Sequence, residues 1–207
     1  MPEARQVGPT VPGVHAITTR LAHPGVVTIV AAQLATSSVM TPPPRDGGGA
    51  GDLWFAAHTL LGLGAVAAVM LVWLAMLARP AGGTTPRSAL FPWFSARRRI
   101  ALAENITRVI RRIRAGRLPH AADTSGALAP AVHGLGLLVL SAVVVTGFLG
   151  WYGGFRALLA AHPVFTTLLW VYLSGHVGFA LLHQGMGEGR LGYMFLAWRR
   201  DRQGTRL

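Results

Sequence analysis

The chain contains no cysteine. That excludes disulfides, thiolate-held iron–sulfur clusters and covalent c-type haem attachment. Lysine is absent too, so all nineteen basic residues are arginine, and only seven residues are acidic. Charge is scarce overall: 13% of the 207 residues are charged, against about 25% in soluble domains. The deficit is concentrated in four runs. No acidic or basic residue lies between Arg20 and Arg45, Asp52 and Arg79, Asp123 and Arg156, or Arg156 and Glu188. Each run exceeds the roughly 20 residues that cross a hydrocarbon core. The pattern predicts an all-α fold, an integral membrane four-helix bundle with helices at about 19–40, 53–78, 130–152 and 162–184. The first is the most polar, carrying Gln33, Thr36, Ser37 and Ser38.

A net charge of +12 in a soluble protein would suggest nucleic acid as a partner. Its distribution argues against that and for membrane lipid. Seventeen arginines fall before the first run, between the second and third, or after the fourth; only Arg45 and Arg156 fall elsewhere. The positive-inside rule predicts that both termini and the long middle loop are cytoplasmic, and four spans, an even number, are consistent with both termini on one side. Residues 1–18 read as a flexible tail, 19–195 as the membrane domain and 196–207 as a basic tail. Within the middle loop, residues 96–118 place Leu102, Ile106, Val109, Ile110 and Ile113 at helical spacing among arginines. Such a segment is expected to lie as an amphipathic helix on an anionic leaflet.

Ionisable groups are costly in apolar helices and usually have a use there. His162 and His176 lie fourteen residues apart in the last run, which spans roughly 21 Å of helix and about 40° short of four turns. They therefore share a side near opposite ends. The predicted topology sorts the others by depth: His23 with His176, and His58 with His162. Two imidazoles at one depth can fill both axial positions of a b haem, leaving an electron carrier without a vacant site for oxygen. His133 and His183 compete on the cytoplasmic side, and His133 could instead hydrogen-bond a propionate or a quinone. His15 and His120 fall outside the predicted spans. Gly62, Gly64, Gly175 and Gly178 would let a macrocycle approach the backbone. His23 and His162 each precede a proline, which disfavours the α region and predicts positions in or before a first helical turn.

Several motifs carry a family resemblance: RLAH at 20–23 with Gln33 and Met40 after it, His58 with Gly62, Thr146–Gly147, and HVGFALLHQGMGEGRLGYM from His176 to Met194. On these residues the chain resembles the bacterial cytochrome b561 family over about 19–195. The resemblance implies a multi-pass inner-membrane cytochrome with two b haems. It also implies electron exchange with quinone in a respiratory chain, hence possible quinone oxidoreductase activity. The ligands by match would be His23, His58, His162 and His176, with Arg20 and Arg190 available to hold propionates in bidentate fashion. The chain departs from the family in having Gly192 and Tyr193 where a basic pair precedes the terminal Met, and no arginine in 53–78. Two alternatives stand beside this: a haem b anchor subunit for a redox partner such as a hydrogenase or formate dehydrogenase, and a non-haem membrane transporter or scaffold.

Overall fold

A computed structural model describes residues 14–44, 49–78, 87–120, 123 and 126–187. Arg190 and the 196–207 tail lie outside the described residues. Among the described residues the structure is helical, without strands. The elements are α1 (Val14–Val39), α2 (Leu53–Leu77), a one-turn α3 (Arg87–Leu90), a 3-10 turn (Pro92–Phe94), α4 (Ala96–Arg114), α5 (Leu128–Trp151) and α6 (Arg156–Gly185). Helix α1 packs on α2, α2 on α5 and α5 on α6.

Helices α2, α5 and α6 are long and apolar enough to cross a membrane. Their outward faces carry large apolar side chains, with Leu60, Leu71 and Val171 each at least 65% exposed. Such faces suit lipid, because a hydrocarbon solvent removes the need to bury them. Helix α1 is as long but more polar. Three hydroxyls near its end are nonetheless satisfied within the helix: Thr36 donates to the Ala32 carbonyl at 2.9 Å, and Ser37 and Ser38 each donate to that of Leu34 at 2.8 Å. Back-bonding of this kind hides a hydroxyl without a second element.

Two positions differ from expectation. Pro24 and Pro163 lie inside α1 and α6, so His23 and His162 sit within continuous helix and not in a first turn. In apolar surroundings an interrupted helix exposes more unsatisfied backbone than the single missing proline N–H, so the helix runs through.

The joints are specific. Asp52 caps α2 by accepting from the Phe55 N–H at 2.7 Å, and its other oxygen accepts from the Thr41 N–H at 2.9 Å. One carboxylate thus starts a helix and closes the α1–α2 loop. Those N–H groups, led by that of Phe55, hold its pKa below the ordinary carboxylate value. Gly51 beside it has φ +75°, and a Cβ there would meet the Phe55 ring at 2.9 Å. Between α2 and α5, the Trp73 indole N–H donates to Ser141 Oγ at 2.9 Å. Gly150 lets α6 close on α5, since its Cβ would lie 2.7 Å from the Leu159 nitrogen.

Candidate functional site

His58 enters from the first turns of α2 and meets Thr36 of α1, with Nδ1 3.0 Å from the threonine oxygen. The Thr36 hydroxyl hydrogen is directed at its own helix, toward the carbonyls of Ala32 and Gln33. Its oxygen is left to accept, so Nδ1 of His58 is the donor. In the neutral ring this leaves Nε2 with a bare lone pair, the form in which imidazole binds a metal.

The arrangement recurs on the other helix pair. His162 Nδ1 lies 3.0 Å from the Val143 carbonyl and 3.2 Å from Thr146 Oγ1. A carbonyl can only accept, so Nδ1 again carries the proton and Nε2 the lone pair. Thr146 in turn donates to the Ala142 carbonyl at 2.6 Å. Close approach depends on Gly147: a Cβ there would stand 2.9 Å from Cε1 of His162. On the opposite wall, Gln33 donates from its amide nitrogen to the His58 carbonyl at 3.1 Å. Its Oε1 is buried with no hydrogen-bond partner.

His58 and His162 line one cavity of about 480 Å³. Ligand pockets run from about 300 to 1,000 Å³ and are mostly apolar with a few placed polar groups. This one draws its wall from α1, α2, α5 and α6, including Leu34, Phe55, Val143 and Trp170, and Gly62 and Gly147 open it further. An apolar chamber with two lone-pair imidazoles, one from each helix pair, suits a flat macrocycle that supplies the equatorial ligands itself. Among the described residues no three His, Asp or Glu side chains converge as a bare metal ion would require. A haem asks the protein for only two.

The second cluster lies toward the other end of the helices. The His133 ring meets that of His176 edge-on at 5.4 Å, and Tyr172 stacks on His176 at 5.5 Å with 16° between planes. His23 of α1 lies within electrostatic reach of both His133 and His176. Tyr172 fits because Gly136 is opposite; a Cβ at Gly136 would collide with its ring. His133 Nδ1 donates to the Ala129 carbonyl at 2.6 Å. His183, two turns beyond His176, is buried beside Phe179, with Nε2 lacking a hydrogen-bond partner. Arg20 belongs to α1, but its side chain, like the whole of Arg190, is outside the described residues. Gly175 and Gly178 leave open space, since a Cβ at either would meet nothing within 4 Å.

The structure thus brings His58 and His162 to one chamber and His23 and His176 to one neighbourhood. Sequence reasoning missed the roles of Thr36 and Tyr172. Tyr172 precedes His176 by one helical turn and so shares its face, a signal that was available. The Thr36–His58 bond needs the register of α1 on α2, which no local pattern encodes.

The model of one protein family, prokaryotic cytochrome b561, matches residues 14–196. The chain belongs to that family. Its class of chemistry is therefore membrane electron transfer by b-type haem. No curated protein and no solved structure matches the chain.

Proposed function

We propose that this cytochrome b561 family member is a four-span inner-membrane protein with both termini cytoplasmic. It binds two b haems, one between His58 and His162 and one between His23 and His176, and exchanges electrons with a quinone. The observation that carries this reading is the chamber in which two imidazoles from separate helix pairs each have Nδ1 engaged and Nε2 free. Nothing in a transporter or scaffold requires both rings to be held in one tautomer.

Haem b held by these histidines would supply reversible one-electron carriage. The chain's own residues do the rest. Thr36 and the Val143 carbonyl fix ring orientation and raise ligand basicity, the usual work of groups behind a metal-bound histidine. Leu34, Phe55, Val143 and Trp170 keep water from the chamber and lower its polarity, which tunes redox potential. The fourteen-residue separation of His162 and His176 holds the two sites roughly 21 Å apart along α6, so charge crosses most of the hydrocarbon thickness inside one chain. Arg20 and Arg190 would neutralise propionates at the His23–His176 end.

The test is an absorption spectrum of the purified, dithionite-reduced protein together with haem quantification. Two b haems per chain are expected. A colourless protein, or one haem at saturation, would contradict the reading.

A further inference from the structure

Helix α4 shows three flanks. On one, Asn105 and Val109 are buried, and Asn105 ties α4 to the start of α5: its Oδ1 accepts from the Leu128 N–H at 3.0 Å. Leu128 is the first residue of a membrane-length helix, so the middle of α4 lies at the level where that helix begins. The Arg112–Asp123 ion pair at 2.6 Å holds the same flank. Just before α4, the backbone of Leu90 lies against Gly134, where a Cβ would collide with its carbonyl. The segment preceding α4 is therefore seated beside the second turn of α5. Phe91 stacks on Trp73 and meets Trp93 edge-on, an aromatic group of the kind found at membrane–water boundaries.

The second flank is apolar and uncovered. At 100° per residue, Ile106, Ile110 and Ile113 fall within an arc of about 60°, centred about 90° around the helix from the docked flank. They are 38%, 43% and 53% exposed, and Phe94 at the α4 entrance is 85% exposed. Arg99 shares this arc but bends away, donating to the Trp93 carbonyl at 2.8 Å. The third flank carries Arg97, Arg108, Arg111 and Arg114, with Glu104 the sole acid of α4. A helix lying in a bilayer interface beside a bundle meets protein on one side, lipid on the next and water beyond.

We propose that the segment from α3 through α4 forms a collar at the membrane interface, with Ile106, Ile110 and Ile113 entering the edge of the bilayer and the arginines beside them binding the phosphates of anionic lipid headgroups. The lipid occupant follows from charge complementarity and from the level at which Asn105 fixes the helix. The proposal rests on the membrane reading of α2, α5 and α6 and not on haem binding, so a colourless protein would leave it standing.

Absence of cysteine makes the test direct, because one introduced thiol is the only labelling site. The full chain, carrying in turn Ile106→Cys, Ile110→Cys, Ile113→Cys, Glu104→Cys, Arg108→Cys or Arg111→Cys with a fluorophore, is placed in nanodiscs containing phosphatidylglycerol. The first three labels should lose fluorescence to a lipid-borne nitroxide, and the last three to aqueous iodide. Replacing phosphatidylglycerol with phosphatidylcholine should reduce the nitroxide quenching. Iodide quenching alike at all six, or protection from both quenchers at the isoleucine positions, would overturn insertion. Quenching unchanged by the lipid swap would overturn the headgroup assignment.

Discussion

At one end of the helices, His58 and His162 are held by hydrogen bonds and look into a chamber of about 480 Å³. At the other, His176 is held by rings, with Tyr172 stacked on it and His133 edge-on, and neither His23 nor His176 lines that chamber. Hydrogen bonds to Nδ1 specify a tautomer as well as an orientation. Ring stacking specifies the plane but leaves the proton undetermined. The first arrangement therefore fixes which ring nitrogen carries the proton, and the second leaves that choice open.

The comparison can be broken most severely at Gly147. Gly147→Val would drive a branched side chain into the His162 ring, already 2.9 Å from where a Cβ would stand. Haem content should fall from two to one per chain, read by pyridine haemochrome assay, with the remaining haem keeping its spectrum.

A graded test follows from the unequal support of the two rings. His58 Nδ1 meets one acceptor, Thr36, whereas His162 Nδ1 meets both the Val143 carbonyl and Thr146. Thr36→Val should therefore weaken haem retention about 10–100-fold, the usual effect of losing a group behind a metal ligand. Thr146→Val should cost less. Haem transfer to apomyoglobin measures both, and equal losses would argue against tautomer control by Thr36.

The smallest effect concerns the loop beside the same site. The Asp52 pKa is depressed in the folded chain by the N–H groups it accepts from. A depressed acid contributes stability above its unfolded pKa, about 3.9, and that contribution is lost as pH falls through the lower folded value. Melting temperature should thus decline below about pH 4, and Asp52→Ala should flatten that decline while lowering the plateau above it.

Much of the fold was legible because it follows from charge. Four charge-free runs became α1, α2, α5 and α6, and the start of α4 at Ala96 matches the arginine-flanked periodicity. The prolines mislead locally, since the pre-proline bias at His23 and His162 is outweighed by the backbone cost of breaking a helix in apolar surroundings. Side-chain partnerships across helices stayed hidden. Thr36 to His58 spans twenty-two residues and Thr146 to His162 sixteen, and both depend on how antiparallel neighbours slide into register. Gly147 and Gly136 of α5 make room for ring side chains of α6, His162 and Tyr172.

Haem stoichiometry in the double variant His58→Ala/His162→Ala, beside each single variant, tests the pairing most directly. If the two imidazoles serve one iron, each single change removes one haem and the double change removes no more, leaving one per chain. A double variant that loses both haems while each single variant loses one would mean that the two histidines serve different irons.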